Sequence, residues 1–169
     1  TTSITSSSQA LNVNLNINPA SSSPYVSLID ALTLNGNLTI SSGTLIANNK
    51  NISLTGNWNR SAGTFTPGTG TVTFNGTGAQ SITNGNNFYN LTVNKSSGTL
   101  SLADDNLVVN NVLTLSSGAL DASNHSLIAG HYYQTGGTFT AVAGGTITVN
   151  GNFTITSGSF NASGSTLKM

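Results

Sequence analysis

Leu32-Thr-Leu34-Asn-Gly36-Asn-Leu38-Thr-Ile40-Ser-Ser-Gly43-Thr-Leu45-Ile-Ala47 decides the fold, because the same sentence returns far downstream. Ile147-Thr-Val149-Asn-Gly151-Asn-Phe153-Thr-Ile155-Thr-Ser-Gly158-Ser-Phe160-Asn-Ala162 repeats it almost letter for letter. Each copy holds three short segments in which apolar and polar residues alternate, separated by Asn-Gly and Ser-Gly corners. Alternation with period 2 means strand, one side in and one side out. Asn and Gly tolerate positive φ and supply the sharp turns.

Partial copies fill the space between. Ile52-Ser-Leu54-Thr-Gly56-Asn-Trp58 runs on to Gly63-Thr-Phe65, and Leu107-Val-Val109 runs on to Leu113-Thr-Leu115-Ser-Ser-Gly118-Ala-Leu120. Their first apolar residues form the register Leu32, Ile52, Val72, Leu91, Leu107, Leu127, Ile147, Leu167, in which five of seven steps are 20 residues, one is 19 and one is 16. A fixed period of this size marks a solenoid, whose coils bury their apolar sides only by stacking. An Asn-Gly between alternating segments ordinarily signals an antiparallel hairpin. Recurrence of the same strand type one coil later favours parallel pairing instead.

The expected fold is therefore all-β: a parallel β-helix of about 20 residues and three short strands per coil, over seven to eight coils. Strand spacing makes that a rod of roughly 35 Å. Like-on-like stacking predicts an inward column of Leu45, Phe65, Leu100, Leu120, Phe139 and Phe160. It predicts a corner column of Gly43, Gly63, Gly98, Gly118, Gly137 and Gly158, and an amide column of Asn35, Asn75, Asn94, Asn110 and Asn150. Residues 75–90 depart from the pattern, and the 16-residue step after Leu91 drops the Asn-Gly-Asn corner.

Residues 1–27 differ in kind from the solenoid expected over 28–169. A polar leader precedes Leu11-Asn-Val13-Asn-Leu15-Asn-Ile17, an alternation with no corner inside it, and a Pro/Ser linker from Pro19 to Pro24 follows. Two roles fit such a strand: a cap on the first coil, or donation to a neighbouring subunit. Thr166-Leu167-Lys168-Met169 opens a further coil with no polar capping segment after it. Open strand edges assemble by default, so Leu11, Val13, Leu15, Ile17, Leu167 and Met169 are the candidate assembly interface.

Composition removes other functions. Only 5% of the 169 residues are charged and the formal net charge is zero, so a basic surface to track a phosphate backbone is missing and nucleic acid is not an expected partner. No apolar run reaches the ~18 residues of a membrane span. Thr, Ser and Asn keep the surface wet without charge, a balance that suits an extracellular or cell-surface location. The carboxylates are Asp30, Asp104, Asp105 and Asp121. The register brings Asp105 within one coil of His125, which suggests at most a solvated ion pair. Too few ligands gather for a metal, and neither a nucleophile elbow, a phosphate loop nor a cofactor fingerprint is present, so catalytic, metal and cofactor sites are expected to be none. Trp58 takes an inward position and reads as core. Asn-x-Ser/Thr sequons at Asn37, Asn51, Asn59, Asn75, Asn90, Asn94, Asn124, Asn152 and Asn161 are candidate glycosylation acceptors.

The stretch from Gly56-Asn-Trp-Asn-Arg-Ser-Ala-Gly-Thr-Phe-Thr-Pro to Gly78-Ala-Gln-Ser-Ile-Thr, followed by Phe88-Tyr-Asn-Leu-Thr-Val-Asn-Lys, resembles repeats of large secreted prokaryotic surface proteins. The resemblance implies a parallel β-helix of adhesin-like or extracellular scaffold type, with no catalytic residues to carry over. The expected function is a structural subunit that stacks head to tail into an extracellular filament, its partner being itself, with the N-terminal strand as a potential donor. The alternative is an adhesin segment that grips glycans or surfaces through the 75–90 loop, with Asn84 to Tyr89 as its recognition stretch.

Overall fold

The computed structural model describes residues 2–19, 24–85 and 87–169. The chain climbs through eight coils and opens a ninth. Coil 1 holds β1 (Thr2–Ile4), β2 (Ala10–Leu11) and β3 (Leu15–Ile17); coil 2 holds β4 (Tyr25–Leu28), β5 (Leu32–Leu34) and β6 (Leu38–Ile40). Coil 3 holds β7 (Thr44–Ile46), β8 (Ile52–Leu54) and β9 (Trp58–Arg60); coil 4 holds β10 (Thr64–Thr66), β11 (Thr71–Phe74) and β12 (Gln80–Thr83). In coils 5 and 6 the strands run around the corners without a break, as β13 (Phe88–Leu102) and β14 (Leu107–Asp121). Coil 7 holds β15 (Leu127–Gln134) and β16 (Thr138–Ala141); coil 8 holds β17 (Thr146–Val149), β18 (Phe153–Ile155) and β19 (Ser159–Ala162). The ninth begins with β20 (Thr166–Lys168). Every pairing between these strands is parallel and joins adjacent coils, which excludes a hairpin sandwich.

Each coil visits three faces in turn. The second face runs unbroken as β2, β5, β8, β11, residues 90–93, residues 112–115, residues 132–134 and β18. The third runs as β3, β6, β9, β12, residues 100–102, residues 119–121, β16 and β19. The first face has two stacks. The lower is β1, β4, β7, β10; the upper rises from Phe88 through residues 107–109 and 127–129 to β17 and β20. They meet where the Phe65 and Phe88 rings lie 6.1 Å apart, with Trp58 edge-on to both at 4.8 and 5.0 Å. Trp58 is core, as its inward position requires.

One expectation fails here for a definite reason. Leu91 stacks on Leu113, not on Leu107, and the second-face column is Leu32, Ile52, Val72, Leu91, Leu113, Tyr132, Phe153. Leu107 starts another column on the first face, with Leu127, Ile147 and Leu167. After Val93 the segment equivalent to Leu38-Thr-Ile40 is missing, so Ser96-Ser-Gly98-Thr-Leu100 moves up onto the third face. The repeat slips by one face. Phe65 therefore does not stack on Leu100, which instead continues from Gln80 to Leu120, Phe139 and Phe160. The glycine column divides at the same place. Gly63 approaches Gly43, while Gly158 approaches Gly137 and Gly137 approaches Gly118. Gly137 has φ +68°, and a Cβ there would run into the Gly118 carbonyl; a side chain is excluded twice over.

Amide ladders form, but in a different column from the one expected. The Asn14 carboxamide oxygen accepts from Asn37 N at 2.8 Å, that of Asn37 from Asn57 N at 2.7 Å, and that of Asn57 from Ser81 N at 2.9 Å. The first two bonds satisfy corner N–H groups of the coil above, which a tight turn cannot satisfy internally, and the third satisfies the N–H of Ser81 at the start of β12.

Two buried polar groups sit at the slip. Lys95 is fully buried, and its ammonium donates to the Gly76 and Gly78 carbonyls at 2.6 and 2.9 Å and to Gln80 Oε1 at 2.6 Å. Gln80 in turn accepts from Gly76 N and donates to the Leu54 carbonyl. Lys95 continues the inward alternation of Leu91 and Val93 across the corner where the segment is lost. Burial without a counter-charge pushes its pKa below the usual lysine value, and three acceptors make the burial tolerable.

Candidate assembly surfaces

The two ends of the rod are built alike. At the lower tip β1, β2 and β3 pair only upward, with β4, β5 and β6. At the upper tip β18, β19 and β20 pair only downward, with β15, β16 and β17. Among the described residues six strands thus have one edge without a strand partner, and unpaired edges of this kind template further strands.

Residues 11–17 do not form a straight strand. The chain turns between β2 and β3, and this corner throws Val13 outward at 54% exposure. Leu11 and Leu15 point inward and are half-buried, and Ile17 is buried. Apolar density at this tip is incomplete: an open hollow of about 260 Å³ is lined by Thr2, Ile4, Leu15, Ile17, Pro19 and Val26. Residues 20–23 of the Pro/Ser linker lie outside the described residues. Asp30 clips the start of coil 1 by accepting from Ser6 N at 2.9 Å and from Ser8 N at 3.2 Å, bonds that hold its carboxyl below the usual carboxylate range.

The upper tip is more open. Leu167 is 39% exposed, Met169 85% and Ile155 39%. Phe153 and Phe160 meet edge-to-face at 5.2 Å and have coil 7 beneath them, with Phe160 stacked on Phe139 at 4.6 Å and Phe153 on Tyr132 at 5.2 Å. No residue of 150–169 is buried. The sequence reading named Leu167 and Met169 but missed Phe153, Ile155 and Phe160. Their signal was available: they are the apolar positions of the 147–162 copy of the repeated sentence.

Elsewhere the surface carries little chemistry. Asp105 does not engage His125; it accepts from Asn106 N at 2.7 Å, while Asp104 accepts from Asn84 N at 3.1 Å. Among the described residues no three His, Cys, Asp or Glu gather, and no helix is long and apolar enough to cross a membrane. Of residues 84–89, Gly85 and Phe88 are buried and Asn84 donates to the Arg60 carbonyl, while Asn87 is exposed and Asn86 lies outside the described residues. Arg60 ends β9 and donates from Nε to the Asn84 carbonyl and from Nη1 to that of Gly63, both at 3.1 Å. Among the sequons, Asn51, Asn75, Asn94, Asn124, Asn152 and Asn161 are exposed; Asn37, Asn59 and Asn90 are half-buried. His131 and Tyr133 stack outward on the second face with ring centroids 6.3 Å apart.

The chain matches no protein-family model, no curated protein and no solved structure.

Proposed function

We propose that this protein is a structural subunit that polymerises head to tail by stacking its upper tip on the lower tip of the next copy. The observation that supports the reading is that, among the described residues, the outermost three strands at each tip pair on one side only and surround half-buried apolar side chains. Parallel edges of the same winding sense continue one another, and the contact is heterologous, so it propagates instead of closing. A chain with 5% charged residues and zero formal net charge offers little repulsion to such contact. The same uncharged Thr/Ser/Asn surface fits an extracellular or cell-surface filament.

Pairing of β1, β2 and β3 within their own rod favours stacking of whole coils over donation of the N-terminal strand. The two are separable. Removal of residues 1–24 exposes the edges of β4, β5 and β6, so a stacking rod still polymerises, whereas a strand-donating rod stops. Negative-stain microscopy of the purified chain tests the reading itself: long rods are expected, and isolated particles of single-subunit length at all concentrations would refute it. The competing reading is an adhesin-like segment that binds glycans. The outward His131 and Tyr133 pair is the feature that favours it, and glycan-array binding by a non-polymerising sample is its test.

A further inference from the structure

We infer that the second face is a binding track for a neutral, extended β-linked polysaccharide of the cellulose or chitin type, lying along the rod axis. The inference rests on the glycan reading, to which it gives a site and a substrate class, and it does not depend on end-to-end stacking.

A ladder of outward hydroxyls runs up this face from coil 2 to coil 8. Below the slip the outward central residues are Thr33, Ser53, Thr73 and Thr92, each paired with the next. Above it they are Thr114, Tyr133 and Thr154. The slip changes which segment of the repeated sentence occupies the face, yet the hydroxyl persists across it. The fold does not require this. Outward positions on the third face include Asn59, Asp121 and Asn161, and those on the first include Ile46, Val108 and Ile128.

Successive hydroxyls lie one strand spacing apart, so the ladder is about 29 Å long. Among the described residues none of its Thr or Ser hydroxyls bonds to another group, and each keeps its donor and acceptor capacity for a ligand. The branched Cβ of Thr restricts χ1. The hydroxyls are thus held in place beforehand, which lowers the ordering cost of binding. An extended β-linked sugar chain advances by close to one strand spacing per ring, so successive rings meet successive rungs.

His131 and Tyr133 supply a stacking surface within the ladder. Their rings lie 6.3 Å apart with planes 18° from parallel. Asn152 fixes both: its backbone N–H donates to His131 Nδ1 at 2.9 Å and its Nδ2 to the Tyr133 hydroxyl at 3.2 Å. His131 accepts through Nδ1, which leaves Nε2 as its donor. Gly151 makes room, because a Cβ there would run into the imidazole. A pyranose carries apolar C–H groups on its faces and hydroxyls around its edge, and an aromatic pair set in a column of hydroxyls matches both. The Tyr133 phenol is also longer than the Thr side chains above and below it. That breaks the flatness a rigid lattice such as ice would need, whereas a flexible chain passes over it.

Charge narrows the class. The strand segments that build the second face contain no Asp, Lys or Arg, so an anionic polymer finds no cation there to complement it.

Pull-down of the full chain at low concentration on microcrystalline cellulose and on chitin, against a polysaccharide-free blank, tests this. Retention on at least one of them is expected, and none on insoluble polygalacturonate. Tyr133→Ala should lower the affinity about tenfold or more, and so should the triple variant Thr73→Val, Thr92→Val, Thr114→Val, which keeps the β-branched shape. Tyr133→Phe should stay within about threefold of the parent, because the ring remains. Urea midpoints equal to the parent's separate lost binding from lost fold in each variant. Retention on neither polymer, equal retention by the Ala and Val variants, or preference for polygalacturonate would overturn the inference. Binding of short branched glycans on an array, with neither polymer retained, would overturn it while leaving the glycan reading standing. The filament reading is untouched by any of these results.

Discussion

Residues 32–47 and 147–162 spell nearly the same sentence, yet they live in different environments. Leu38, Ile40 and Leu45 are fully buried, whereas their counterparts Phe153, Ile155 and Phe160 are half-buried or exposed. Nothing local separates the two copies. The lower has a coil above and below it. In the upper, β17 is covered on both sides, but among the described residues β18 and β19 have a neighbour below only. Burial in this rod is thus a property of the stack and not of the segment, as expected when each repeat contacts only its neighbours. Among the described residues the upper tip carries core-type side chains that no coil covers, and under the proposed stacking a second copy would cover them.

Breaking the comparison at its strong end has the largest effect. Leu38→Ala should cost about 2–5 kcal/mol, as a large-to-small change in a packed core does, whereas Ile155→Ala in the isolated rod should cost under about 1 kcal/mol. Urea unfolding of the two variants at low protein concentration checks this; equal losses would mean that the tip is already packed.

Lys95→Ala comes next, at about 1–3 kcal/mol, because it strips the donor from Gln80 Oε1 and the Gly76 and Gly78 carbonyls. A double-mutant cycle with Gln80→Leu should show that the two effects are coupled, with the pair costing less than the sum. The pH dependence has a definite sign. Burial lowers the folded-state pKa of Lys95, so the unfolded chain binds more protons between that lowered value and the ordinary lysine value of about 10.5. Stability should rise with pH across that window, and the rise should vanish in Lys95→Met.

These cases also mark how far the sequence could be read. Period-2 alternation and the 20-residue recurrence made the parallel solenoid legible, because both follow from backbone geometry. The missing segment after Val93 was visible as a 16-residue step, but its consequence was not. A lost strand can be absorbed as a bulge on one face or as a slip of every later coil by one face, and only three-dimensional closure chooses. Lys95 was not singled out, although its place two residues after Val93 put it on the inward side. Leu11 and Leu15 were recognised as apolar edge residues, but the turn at Val13 was hidden because Asn-Val-Asn alternates as smoothly as a strand does.

Smaller effects sharpen the corners. Asn57→Ala removes the acceptor for Ser81 N and should cost about 1 kcal/mol, measurable as a shift in the urea midpoint. Asp30→Asn should matter least, and only above acid pH. Its folded pKa lies below 3.8 because of the Ser6 and Ser8 N–H bonds, so its contribution is present above about pH 3.8 and disappears as pH falls through the lowered value. Acid unfolding of Asp30→Asn should lack that component, and proteolysis should open coil 1 first.

Hydrogen exchange followed against protein concentration puts the proposed stacking to its most direct test. Amides of β18, β19 and β20 should become slower to exchange as concentration rises, while those of β8, already covered on both sides, stay constant. Tip amides that exchange at the same rate from dilute to concentrated solution would contradict it.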